Sequence, residues 1–144
     1  MNVNIREANL NDTEMLYKIN KEELGYDFDL ENTRIRLGSL LNTSSNKIIV
    51  AEVNQKIVGY IHGADYDLFY SNPMKNIMGI AVSSEYKRKG IGRLLIKEIE
   101  SWAKSSGAVG VRLNSGSTRL SAHEFYLSCG YESKKEQKNF FKSL

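Results

Sequence analysis

The sequence predicts a mixed α/β fold, a sheet covered by helices, and three observations carry that reading. An apolar run of strand length, Ile77 to Val82, passes through a basic turn, Lys87-Arg88-Lys89-Gly90-Ile91-Gly92-Arg93, into a helical pattern that closes at Gly107. Two strand-like runs, Lys47 to Val53 and Lys56 to Ala64, meet across Asn54-Gln55, a spacing suited to a tight hairpin. Along the whole chain the periods read strand, helix, helix, three strands, helix, strand, helix, two strands.

The elements follow in order. Val3, Ile5 and Glu7 begin a short alternating strand, and Asn9 with Asp12 three residues on suits a helix start. Met15, Leu16 and Ile19 mark the first helix, ending near Gly25. Asp29 can cap a second helix, whose Leu30, Leu37, Leu40 and Leu41 form a stripe as far as Asn42. Thr43 to Asn46 is a loop by composition, and the hairpin follows. Gly59 and Gly63 in its second strand suit a bulge or a close approach. Asp65 to Tyr70 and the only proline, Pro73, make a loop before Ile77. From Ile91, the apolar residues Leu94, Leu95, Ile99, Trp102 and Ala103 recur on one helical face. Val109, Val111 and Leu113 alternate in a strand ending at Asn114. A helix from about Arg119 to Cys129 and a strand pair, Tyr131 to Lys138 and Asn139 to Leu144, complete the chain.

The turn at 87–93 carries the chemistry. The first N–H groups of a helix lack intrahelical acceptors, and the macrodipole places positive potential there. Gly90 and Gly92 can let the backbone close on an anion, and Lys87, Arg88, Lys89 and Arg93 add cations. A solvated basic turn is the plainer reading, but glycines and cations together exceed what a turn requires. A dinucleotide fingerprint would need glycine where Leu95 stands, and a Walker loop would need Gly-Lys-Ser/Thr where Gly92-Arg93-Leu94 stands.

The segment Lys87-Arg88-Lys89-Gly90-Ile91-Gly92 resembles the acyl-CoA pyrophosphate loop of the GNAT-type N-acetyltransferase superfamily, Arg/Gln-x-x-Gly-x-Gly/Ala, with Lys87 departing from the usual Arg or Gln. Further on, Ala122-His123-Glu124-Phe125-Tyr126-Leu127-Ser128-Cys129-Gly130-Tyr131 resembles the family's Ala-x-x-Phe-Tyr-x-x-x-Gly-Phe/Tyr signature. The resemblance covers nearly the whole chain. It implies one N-acetyltransferase domain over residues 1–144, with a twisted, mostly antiparallel sheet of six or seven strands flanked by about four helices.

It also implies roles. The backbone of Ile80, Ala81 and Val82 would pair with the pantetheine arm of acetyl-CoA, and an N–H there would stabilise the oxyanion. Lys87 to Arg93, Ile91 included, would hold the pyrophosphate. Tyr126 stands in the general-acid position, where it would protonate the departing thiolate or only pack and hydrogen-bond the sulfur. Asn114 stands where some relatives carry a catalytic Glu; it cannot act as a base but could bind the cofactor's amides or orient a water. Arg119 takes the place of a cofactor-binding Asn, as an added charge contact or none. The base stays unassigned between His123 and a water chain to an acid. Members of the superfamily generally cover the acceptor with the region matching residues 22–31, here five acids and two aromatics, which also suits an ordinary acidic connection. His62, on a strand, reads as packed or as facing the acceptor.

Composition sets the outer bounds. At 144 residues with 41% hydrophobic content and no apolar stretch of about 18 residues, a single soluble domain with no membrane span is expected. No leader-like apolar segment opens the chain and it has one cysteine, so a cytoplasmic setting without a disulfide is expected. No His/Cys spacing suggests a metal. Residues 1–80 hold 11 acids and 8 Lys/Arg, residues 81–144 hold 12 Lys/Arg and 6 acids, and the halves sum to the net +3. That asymmetry suits a polyanionic cofactor and a cationic acceptor, or equally solubility alone, and the acidic 22–31 stretch favours a small cationic amine over a protein Lys or N-terminus. Nucleic acid is a poor fit, because stacking aromatics do not accompany the basic residues. Cys129 and His123, six apart, lie about 120° apart around a helix, which argues against a cysteine nucleophile. A CoA-sensing module of the same fold is the alternative to an enzyme, and terminal edge strands suit a homodimer.

Overall fold

A computed structural model describes residues 1–144, which separate into two compact units, Met1–Leu113 and Asn114–Leu144. The first holds the whole sheet, five strands in the order β1-β2-β3-β4-β5. These are β1 (Asn4–Glu7), β2 (Asn46–Val53), β3 (Lys56–Tyr66), β4 (Met74–Val82) and β5 (Val111–Arg112). The first four pair antiparallel and β5 joins β4 in parallel. Its helices are α1 (Thr13–Ile19), continued by a π turn to Leu24, α2 (Leu30–Leu41) and α3 (Ile91–Ser105). The second unit holds α4 (Leu120–Ser128).

Local rules explain most of these starts and stops. Asn9 accepts from the Asn11 N–H and its own N–H donates to Asp12, a capping box. Asp29 accepts from the Asn32 N–H at 2.8 Å and caps α2. Asn54 and Gln55 both take positive φ, 51° and 64°, the geometry of a two-residue hairpin turn that matches strand twist. Gly25 and Gly107, at φ 76° and 77°, close the helical runs before them.

The sheet is covered on both faces. Ile48, Val50, Tyr60 and Ala81 form a buried cluster with Leu16 and Ile19 of α1 and Leu37 of α2. The alternate residues of β3 meet α3, and a Cβ at Gly63 would lie 2.8 Å from Ile99. On α3 the buried set is Ile91, Leu95, Ile96, Ile99 and Ala103, whereas Leu94 is 41% exposed. The expected stripe is therefore rotated toward Ile96, because the face is fixed by the fit against Gly59 and Gly63.

Three expectations need correcting. β4 begins at Met74, three residues early, because Lys75 is buried over the Trp102 ring, 4.1 Å away, and paired with Asp65. β5 is two residues long rather than running from Val109 to Asn114. Residues 131–144 form no strand pair, so the sheet has five strands and not six or seven. From Glu132 the tail is exposed and mostly charged or polar until Phe140, so no alternating apolar face exists to dock on a sheet.

One stabilising cluster ties β1 to α1. The Arg6 guanidinium forks onto both carboxylate oxygens of buried Asp12 at 2.8 Å and reaches Glu52 at 2.8 Å. Burial opposes ionisation of Asp12, but the bonds from Arg6 and the Asn9 amide outweigh it and hold the carboxyl below its ordinary range. A depressed carboxyl contributes stability that is present above its unfolded value, near 4, and is lost as pH falls through the lower native value. Asp12→Ala is expected to cost about 3 kcal/mol at pH 7, the low end for a broken buried pair because Glu52 still holds Arg6. Thermal unfolding should show a Tm lower by roughly 10 °C, and the difference from wild type should shrink in acid. An unchanged Tm would refute this role.

Candidate active site

The candidate donor site begins on β4. This strand pairs with β3 along its length, but β5 accompanies it only at Lys75 and Asn76. From Ile77 to Val82 the β5-side edge has no strand beside it, so Ile80, Ala81 and Val82 present backbone groups to any extended ligand that adds there. The register shifts between His62 and Gly63, which pair with Gly79 and Ile77, so Met78 is left as a bulged residue without a β3 partner.

The chain then turns into α3. Ser84–Tyr86 form a 3-10 turn, Arg88 takes φ 63° and Gly90 takes φ 83°. A non-glycine residue in the left-handed region is strained by on the order of 1–3 kcal/mol, a cost often found where a loop is shaped for a ligand. Gly90 precedes α3 with no side-chain cap, and nothing lies within 4 Å of where its Cβ would be. The helix N-terminus is therefore open, with Ile91 buried beneath it and Gly92 half-buried.

The cations are not equivalent. Lys87 Nζ lies 3.1 Å from Glu23 Oε1, whose side chain is only 9% exposed. Glu23 also accepts from the Ser84 N–H and hydroxyl, each at 3.0 Å. Burial opposes its ionisation, yet Lys87 and Ser84 hold its carboxyl below the usual value. Glu23 thus braces the turn from the α1 side. Lys89 lies 5.6 Å from the centre of the Tyr86 ring, and Arg88 and Arg93 are exposed.

The other residues singled out in the sequence lie in the second unit. Asn114 is exposed, two residues past β5. Arg119 precedes α4, and its charge acts on the Tyr126 hydroxyl. Tyr126 is half-buried beside Phe125, ring centres 5.5 Å apart. Burial pushes its phenol up, Arg119 pulls it down and Cys129 pushes it up again, for a net rise above the ordinary value. The phenol stays protonated at pH 7 and can donate. The His123 Nε2 lies 2.8 Å from the Gly116 carbonyl oxygen.

A second feature of the first unit escaped sequence reasoning. A cleft of about 170 Å³ lies among α1, the π turn, α2, β2 and β3, and its lining includes Tyr17, Asn20, Tyr26, Phe28, Tyr60 and His62. The Tyr60 hydroxyl bonds Asn20 Oδ1 and approaches Gly79, where a Cβ would lie 3.3 Å from it. Burial first, then nearby Tyr26, pushes the Tyr60 phenol up to about 12, against the bond to Asn20. The aromatics at 26 and 28 and His62 had a sequence signal; Tyr60 and Asn20 come together across 40 residues. No group of three or more His, Cys, Asp or Glu is placed to hold a metal ion, and no helix is long and apolar enough to cross a membrane.

An open strand edge thus runs through a glycine turn into a helix N-terminus that no side chain caps, in a mixed α/β fold. The family model for acetyltransferases of the GNAT family matches residues 13–131, and the chain belongs to that family. Human N-acetyltransferase 8 is 30% identical over 104 residues, covering 72% of this chain and 45% of the human protein, so the chain spans less than half of that relative. Among solved structures, the aminoglycoside acetyltransferase AAC(6')-Iy in complex with a bisubstrate analogue superposes with a TM-score of 0.88 at 16% identity, covering 100% of both chains. A transcriptional regulator from Bacillus halodurans C-125 superposes at 0.87 and 22% identity, covering 98% of this chain and 100% of its own. These likenesses establish the shared fold.

Proposed function

We propose that the protein is an N-acetyltransferase that moves the acetyl group of acetyl-CoA directly to a primary amine of a small molecule. The observation that carries this reading is the unpaired β4 edge from Ile77 to Val82 continuing into the turn at 87–93. Ile80, Ala81 and Val82 would hold the pantetheine amides as an added strand would. The Gly90–Gly92 backbone and Lys87, Arg88, Lys89 and Arg93 would take the pyrophosphate. The open space over Gly90 fits such a group. Acetyl-CoA supplies an activated thioester; the chain orients it, and an N–H at the Met78 bulge is suited to stabilise developing oxyanion charge. Tyr126 gives a proton to the leaving thiolate, with Asn114 and Arg119 as further contacts, all within one functional domain.

Most of the acids that suit a cationic acceptor also have partners within the chain. Within 22–31, Glu23 braces the turn, Asp29 caps α2, and Glu22 and Asp27 lie 4.0 and 3.8 Å from Lys18 and Lys21. The reading is tested by unfolding with acetyl-CoA and by thiol release over a panel of amines. Acetyl-CoA at 100 times its Kd is worth about 2.7 kcal/mol and should raise Tm by roughly 9 °C. No shift would contradict it. A shift without turnover on any amine would favour a CoA-sensing module, a role the fold likeness to a regulator also suits.

A further inference from the structure

The geometry points to the cleft among α1, α2 and β3 as a site for a primary amine carried on a single apolar or aromatic ring, with His62 as the group that takes the ammonium proton. This rests on the acetyl-transfer reading above.

The lining sets the class of acceptor. Tyr17, Tyr26, Phe28 and Tyr60 give the cleft aromatic walls, Arg36 is its one charged side chain, and no carboxylate lines it. A polyamine or aminoglycoside would bring several positive charges to a wall that offers no negative charge and would face Arg36. One ammonium on an apolar body fits better: the rings bury the body and attract one cation through their faces. Size agrees. A cavity of roughly 150 Å³ accommodates benzene, so about 170 Å³ holds one ring and its side arm, and a larger body would project into solvent.

His62 has the position and the tautomer. It pairs across the sheet with Gly79, the residue beside the Met78 bulge and at the start of the open edge that continues to Val82. Its Nε2 lies 2.8 Å from Asn46 Oδ1, while the Asn46 amide nitrogen donates to Thr43 Oγ1 at 2.9 Å. The Asn46 orientation makes Nε2 the donor and leaves the lone pair on Nδ1. Burial pushes the imidazole below its ordinary value, so it is neutral at pH 7 and able to accept. The titratable and charged groups around the cleft are Tyr17 on α1, Tyr26 on the connection, Arg36 on α2 and Tyr60 on β3. From β2 come Asn46 and Ile48, and from β4 Gly79. Tyr60, protonated and donating to Asn20, is no base, so His62 is the cleft's proton acceptor.

The protons balance. The ammonium loses one proton to His62, which passes it to solvent, and the neutral amine attacks the thioester carbon. As the C–N bond forms and the C–S bond breaks, the thiolate takes a proton from Tyr126, and the nitrogen's second proton restores that phenol through solvent.

The test compares benzylamine with spermidine as acceptors, with acetyl-CoA affinity measured on every sample. Benzylamine should show kcat/KM at least about 10-fold higher. Phe28→Ala, at an exposed position, should raise KM for benzylamine several-fold without moving acetyl-CoA affinity. His62→Gln should lower kcat by about 10-fold or more and remove an acidic limb of kcat/KM that lies below pH 6.5 in the wild type. Intact acetyl-CoA binding with a preference for spermidine, with no turnover of either amine, or with an unchanged pH profile in His62→Gln would overturn this inference alone. Loss of acetyl-CoA binding in the wild type would overturn the underlying reading instead.

Discussion

Replacing Tyr126 by Phe is expected to lower kcat by on the order of 10²-fold while leaving acetyl-CoA affinity nearly unchanged. The substitution removes one oxygen from a half-buried ring on α4 and keeps its contact with Phe125. Packing therefore survives and only the donor is lost. Because the phenol is raised, the wild-type enzyme should keep its rate to above pH 10, and the alkaline limb set by that group should vanish in the variant. Equal kcat values would remove Tyr126 from the chemistry and leave it a packing role. A fall in affinity at constant kcat would make it a binding residue.

The second large effect is expected at Gly90. Gly90→Val should raise the Kd for CoA by about 100-fold or more, while Tm falls only modestly. Its φ of 83° lies in the left-handed region, where a Cβ costs roughly 1–2 kcal/mol and a β-branched residue more. Nothing lies within 4 Å of the added carbon, so the penalty is in the backbone and not in a clash. The chain can keep the conformation at that cost or relax φ and reorient the Gly90–Gly92 amides. Either route weakens anion binding. Gly107→Val is the matched control, because Gly107 has φ 77° and equally open surroundings at the opposite end of α3. It should lose similar stability and keep CoA affinity. Equal affinities in both variants would refute the loop's role.

The contrast between these glycines also shows what was legible in the sequence. Features decided within a few residues were readable: the Asn9–Asp12 capping box, the Asn54-Gln55 turn, Asp29 at the start of α2, and the strand-turn-helix at 77–107. Features decided by distant partners were not. Glu23 reaches Ser84 across 61 residues, so an acid in the stretch that suits an acceptor rim also braces the turn before α3. The Met78 bulge has no local signal, since an apolar run looks the same with or without it. Ile96 rather than Leu94 faces the sheet because Gly59 and Gly63 let α3 settle close. The tail from Glu132 was read as strands although its charge spacing offers no buried face, and there local propensity misled. Family resemblance reached Tyr126 and the strand pattern raised His62, but the meeting of Tyr60 with Asn20 is a product of packing alone.

Acetyl-CoA is expected to lie along the second half of β4 and to end at the α3 N-terminus. Amide hydrogen exchange with and without saturating CoA tests this directly. The predicted result is new protection at Ile80 to Val82 and at Gly90 to Arg93, with the amides of β1 and β2 unchanged. CoA binding that leaves those two stretches unprotected, or that protects another part of the sheet, would contradict it.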